Sequence, residues 1–203
     1  LQLHGVKIEH SDDGTMSLDP TNVKSARMVD IDAHAGSSRI PILFCGPLLH
    51  QLGEAFIPGL GGCHIGDRPI DYHLEVLRNF GAVIEKQPNG IRLSAPEGLK
   101  GAKISLPYPS VGATENILMA AVVANGVTTI RNAAREPEIV DLCNMLRKMG
   151  CRIEGIGTST LIVTGVEYAT LQSVTHEVVT DRVQAATYVA AVAMCGGTVH
   201  VAR

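Results

Sequence analysis

The chain has 203 residues, 45% hydrophobic and 18% charged, which supplies a sizeable core and excludes wholesale disorder. Aromatics make up only 3% and Trp is absent, so that core must be built from Ala, Val, Ile and Leu. A net charge of -3 lacks the basic footprint of a nucleic-acid-binding protein, and no uncharged apolar run of 18 residues is present to span a bilayer as a helix.

In chain order, a glycine-led hairpin comes first: His4-Gly5-Val6-Lys7-Ile8-Glu9, a turn, then a second strand near 15–18. The next predicted elements are a helix over 38–52, opened by Ser38, and a strand beginning at Gly53-Glu54-Ala55. A glycine-rich loop leads to a helix with Pro69 in its first turn. The hairpin pattern then returns as Phe80-Gly81-Ala82-Val83-Ile84-Glu85 with a strand at 90–93, followed by a third strand over 102–106. A helix over 114–125 capped by Thr114, a strand from Gly126 and a helix led by Pro137 come next. In that last helix Ile139, Leu142, Met145, Leu146 and Met149 recur at three and four, one apolar face. Met149-Gly150-Cys151-Arg152-Ile153-Glu154 repeats the hairpin a third time, and a helix over 180–195 capped by Thr180, with a strand over 197–201, follows.

Two sets of landmarks therefore share one period of ~70 residues, as expected of a repeat-built α/β protein. The expected division is a domain over 1–179, made of a partial unit over 1–34 and units over about 35–106 and 107–179. Residues 180–203 would then open a second domain.

The loop from Ile57 to His73 carries four glycines (59, 61, 62, 66) around Cys63. The matching stretch of the sister unit, 130–136, has none, so the loop is an elaboration of the repeat. A thiol near His64 and Arg68 suits a nucleophile or proton donor; the bland alternative is a free surface cysteine. The five cysteines form no CxxC pair, which fits reduced thiols in a cytoplasmic protein. Arg68 beside Pro69 at one helix start, Arg39 at another, and Ser110-Val111-Gly112-Ala113-Thr114 at a third could face one anionic ligand; each is also an ordinary cap. Cys63, His64 and His73 match no structural zinc spacing, so no metal is expected.

These residues also carry a resemblance. Gly61-Gly62-Cys63-His64-Ile65-Gly66-Asp67-Arg68-Pro69-Ile70-Asp71-Tyr72-His73 resembles the catalytic loop of the UDP-N-acetylglucosamine enolpyruvyl transferase family. Ser110-Val111-Gly112-Ala113-Thr114-Glu115-Asn116, Asn132-Ala133-Ala134-Arg135-Glu136-Pro137-Glu138-Ile139-Val140-Asp141, and Arg39 with Gly46-Pro47-Leu48 are similar to three further signatures of it. The resemblance implies an inside-out α/β barrel of repeated βαβαββ units, helices inside and sheets outside, in two domains. It implies transfer of the enolpyruvyl group of phosphoenolpyruvate to the 3-hydroxyl of UDP-N-acetylglucosamine, with release of phosphate. This is the fosfomycin-sensitive first committed step of peptidoglycan synthesis.

Within that resemblance Cys63 matches the general acid, and Arg39 and Arg68 would hold phosphate and carboxylate groups. Pro69, Ile70, Asp71 and Tyr72 correspond to the nucleotide-binding segment, and Tyr108, Pro109, Ser110 and Val111, with Gly112 behind them, to the diphosphate-binding stretch. No cofactor is implied. Leu60 stands where the family usually has Pro, and the family's Lys–Asn pair and most of its second domain are not among these residues. The 203 residues alone are therefore expected to be inactive, with the second domain of the same enzyme as missing partner. The sibling that makes enolpyruvylshikimate phosphate does not rely on a Cys-bearing loop of this kind. A non-catalytic nucleotide-sugar binding module is the alternative from another class.

Overall fold

A computed structural model describes residues 1–23, 39–60 and 70–201. Two hairpin-closed units follow one another, preceded by a lone hairpin. That first hairpin pairs β1 (Lys7–His10) with β2 (Met16–Asp19). In the next unit a 3-10 turn at Ile40–Phe44 runs into α1 (Cys45–Leu52), then β3 (Glu54–Pro58), α2 (Asp71–Asn79), β4 (Val83–Gln87), β5 (Gly90–Ser94) and β6 (Lys103–Ser105). The third unit repeats the order: α3 (Val111–Ala121), β7 (Val127–Arg131), α4 (Pro137–Lys148), β8 (Arg152–Glu154) and β9 (Thr160–Thr164). A last helix, α5 (Arg182–Cys195), follows.

Local sequence explains these elements. α4 has Pro137 at its start, Glu138 in the first turn and Arg147 and Lys148 in the last, so its charges oppose the helix dipole at both ends. Its buried residues, Ile139, Cys143 and Leu146, lie on one face. In β7 and β9, Thr128, Ile130, Leu161 and Val163 point inward while their neighbours are more exposed, the period-two pattern of a sheet with one wet face.

β3, β5 and β4 form one antiparallel sheet in that spatial order, and β6, β7, β9 and β8 form another. β6 belongs in sequence to the second unit, yet it pairs in parallel with β7 of the third, Ile104 opposite Ile130. Each unit's exit is built alike: Lys100 N–H donates to Phe80 O, and Gln172 N–H to Met149 O, both at 2.9 Å.

The core lies between helices. α3 buries Ala113, Ile117, Leu118, Ala120 and Ala121 and packs on α1, α2 and α4. Each such aliphatic side chain larger than Ala contributes roughly 1.5–3 kcal/mol on full burial. Gly46 sets the approach of α1 to α3: a Cβ there would stand 3.0 Å from both Cα and N of Ala120.

The structure corrects three expectations. Residues 197–201 form no strand. Thr114 is not a cap: α3 starts earlier, because Ser110 Oγ accepts from Ala113 N–H at 3.3 Å. Thr180 does not cap α5; the Asp181 carboxylate accepts from Val183 and Gln184 N–H instead, a stronger acceptor one residue on. Ser38 lies outside the described residues.

Candidate functional site

The end of the glycine loop and the start of α3 meet. Ile70 is the N-cap of α2, Asp71 its first-turn acid, and Tyr72 and His73 follow within the first turn. Tyr72 and Tyr108 rings lie edge to face, centroids 5.6 Å apart at 73°. Tyr108 is about half exposed, so one face of this aromatic pair is open to solvent. Pro109 is exposed and Ser110 holds the cap. By helix geometry the first amides of α3 have no carbonyl inside the helix to bond, which leaves positive potential at Val111 and Gly112.

His73 lies beneath this turn. A Cβ on Gly112 would stand 3.3 Å from His73 Cε1 and 3.6 Å from Nε2, so glycine is what lets the ring sit close. His73 carbonyl oxygen accepts from Asn116 Nδ2 at 3.4 Å. Its ring Nδ1 and the Asn116 Oδ1 are buried with no hydrogen-bond partner. Burial, aided by the Arg39 guanidinium, holds the His73 imidazole down to about 4, so it is neutral at pH 7.

Thr114 ties the same turn to the loop before α4. Its hydroxyl donates to Ser110 O at 2.8 Å and accepts from Ala134 N–H at 3.1 Å. Asn132 stands beside it in a left-handed conformation, φ 57°, with Nδ2 donating to Leu106 O at 3.0 Å. Further along α3, burial and then the charge of Glu138 push the Glu115 carboxyl up.

Arg39 and Ile70 line a cleft of about 350 Å³ with Pro58, Gly59, Leu60 and Lys86, at the root of the glycine loop. Of the sequence candidates, Tyr72 thus meets Tyr108, Gly112 meets the ring of His73, and Arg39 shares its cleft with Ile70 and acts on His73. Asp71 and Pro109 sit at the rim, exposed, and Val111 turns toward the core. Cys63, His64, Arg68 and Pro69 lie outside the described residues. A larger groove of about 830 Å³, lined by His50, Arg152, Glu167 and Gln172 among others, contains none of the candidates.

The sequence alone marks neither Thr114 and Asn116 as buried polar anchors nor His73 as a ring buried beneath Gly112. The available signal is three polar residues in a row, Thr114-Glu115-Asn116, on a helix whose other side chains are apolar.

Comparison with known proteins adds to this geometry. The family model of EPSP synthase (3-phosphoshikimate 1-carboxyvinyltransferase) matches residues 1–203. The chain is 45% identical over 200 residues to the UDP-N-acetylglucosamine 1-carboxyvinyltransferase of Ruegeria pomeroyi, covering 98% of this chain and 47% of that protein. It is 53% identical over 162 residues to the protein of the same name from Novosphingobium aromaticivorans, covering 79% and 38%. The chain spans about half the length of the curated relatives it matches over nearly all its own length. In fold it is similar to the enolpyruvyl transferase NikO from Streptomyces tendae, with TM-score 0.76 at 19% identity over 94% of this chain and 44% of that one. The EPSP synthase of Acinetobacter baumannii gives 0.59 at 22% identity, covering 80% and 36%. No helix among the described residues is long and apolar enough to cross a membrane.

Proposed function

Because the chain belongs to the EPSP synthase (3-phosphoshikimate 1-carboxyvinyltransferase) family, we propose that it is the catalytic-loop portion of an enolpyruvyl transferase acting on UDP-N-acetylglucosamine and phosphoenolpyruvate. The carrying observation is the meeting of the Ile70–Tyr72 segment with the α3 N-terminus, next to a glycine loop that bears one cysteine. Relatives at 45–53% identity bearing the UDP-N-acetylglucosamine 1-carboxyvinyltransferase name favour this substrate over shikimate phosphate.

In this reading the nucleotide sugar lies along Pro69, Ile70, Asp71 and Tyr72, with its diphosphate at the free amides of Val111 and Gly112 behind Ser110. The Tyr72–Tyr108 pair offers the open aromatic face on which a base or sugar can pack. Phosphoenolpyruvate is held by Arg39 and Arg68 through charge-assisted bonds. The sugar's 3-hydroxyl oxygen bonds to C2 as Cys63 gives its proton to C3, and the hydroxyl proton passes to the phosphate group. The C2–O bond to phosphate then breaks, hydrogen phosphate leaves, and a C3 proton returns to the Cys63 thiolate as the C2–C3 double bond re-forms. The cation-like transition state gains from nearby phosphate and carboxylate charge, and the modest acidity of a thiol suits the proton transfer.

Residues 1–179 would form the catalytic-loop domain, with 180–203 opening the second. α5 agrees with that division: it buries no residue, and Val183, Tyr188, Val189 and Met194 are exposed. The site would act in the cytoplasm, at the first committed step of peptidoglycan synthesis. The test is mass spectrometry after fosfomycin treatment. A single adduct on Cys63, formed faster with UDP-N-acetylglucosamine present and lost in Cys63→Ala, is expected. Binding of the nucleotide sugar with no adduct would support a non-catalytic module instead, and neither binding nor adduct would sink the substrate assignment.

A further inference from the structure

The segment between β9 and α5 is tied to α4 at three heights. At the far end of α4, Gln172 N–H donates to Met149 O at 2.9 Å. In the middle, the His176 ring is held between two side chains. Lys148 Nζ has only hydrogens to give, so His176 Nδ1 accepts from it at 3.3 Å. Nε2 then carries the ring proton and donates it to Asp141 Oδ1 at 2.9 Å. At the start of α4, Arg182 grips Glu138 with two bonds, Nη2 to Oε1 at 2.8 Å and Nε to Oε2 at 3.1 Å. Residues 138, 141 and 148 share one stripe of the helix, so the segment runs back along it.

The two side-chain anchors differ in access to water. The His176 and Asp141 side chains are 8% and 20% exposed, whereas Arg182 and Glu138 are 51% and 35% exposed. An exposed pair is screened by salt and held weakly, while an enclosed one is screened much less. α5 itself buries no residue, so its direction depends on the Asp181 cap and on Arg182.

We propose that residues 172–182 form a two-stage clasp: His176 between Asp141 and Lys148 is the fixed pivot, and Glu138–Arg182 is the releasable latch that sets the direction of α5. This inference rests on the contacts alone and not on the substrate assignment.

Hydrogen exchange by mass spectrometry on the 203-residue chain tests it. Glu138→Gln should speed exchange in 178–190 at least fivefold while leaving 172–176 and β9 within twofold. Asp141→Asn should loosen 172–176 as well. One molar sodium chloride should reproduce the Glu138→Gln pattern in the wild type and add little to the variant. The charge-swapped double variant Glu138→Arg with Arg182→Glu should restore slow exchange. If Glu138→Gln leaves 178–190 unchanged, or loosens 172–176 equally, there is no two-stage clasp. Should that variant lose β9 protection generally, the salt arm on the wild type decides, and unchanged α5 exchange at high salt overturns the proposal.

Discussion

Thr114→Val exchanges a hydroxyl for a methyl of nearly equal volume at a position with no solvent exposure. Two hydrogen bonds go with the oxygen. Ser110 O keeps its backbone bond from Thr114 N–H at 3.0 Å, so its loss is modest, about 0.5–1.5 kcal/mol. Ala134 N–H is different. Ala134 is 1% exposed and its amide bonds to this hydroxyl, so the orphaned donor costs roughly 1–3 kcal/mol. The buried methyl returns about 0.8 kcal/mol. The net is a destabilisation of about 2 kcal/mol, or about 4–8 °C in Tm for a chain of this size. Thr114→Ser keeps the oxygen and loses one methyl, about 1 kcal/mol. Urea unfolding followed by circular dichroism should rank wild type above Thr114→Ser above Thr114→Val, at constant m-value. A valine variant at least as stable as the serine variant would refute the claim that this hydroxyl locks the start of α3 to the 132–134 loop.

Gly46→Ala should destabilise by about 1–2 kcal/mol, because forcing α1 away from the Ala120 backbone outweighs the ~1 kcal/mol gained in helix propensity; thermal melting reads it. His73 titrates lower in the folded chain, about 4 against 6.5, so the unfolded chain binds its proton first and stability falls as pH drops from 6.5 toward 4. That contribution reaches about 3 kcal/mol and is absent in His73→Gln, so the two stability–pH curves should converge in that window and run parallel above it. Burial pushes the Cys45 thiol up and Cys143 up to about 11, and raises Cys151. Iodoacetamide at pH 7.5 should therefore label exposed Cys195 at least tenfold faster than these three, as peptide mapping would show.

Much of this fold is legible in the sequence because the repeat states it three times. Three hairpins after the glycines at 5, 81 and 150, and helices after Pro69 and Pro137, need only local periodicity and turn chemistry. The helix starts were less legible: Ser110 and Asp181 compete with Thr114 and Thr180 within a few residues, and only the backbone path decides which oxygen reaches the free amides. The strand expected over 197–201 has the right composition, but a strand requires a neighbour to bond, and none of the described residues supplies one. At the candidate site, Tyr72, Tyr108 and Ser110 could be named from motif alone. The seat of His73 under Gly112 could not, since it depends on how closely two helices from different units approach.

The strand β6 has a practical meaning for anyone who would cut this chain into pieces. Its backbone is covalently attached to one repeat and hydrogen-bonded to the next, Lys103 to Ser105 against Thr129 to Arg131. Scission in the short stretch between β6 and α3 would leave two polypeptides still stitched together across that ladder and the apolar helix contacts around α3. Co-expressed halves should therefore reassemble, as split reporters do, while either half produced alone would present a naked seam and precipitate.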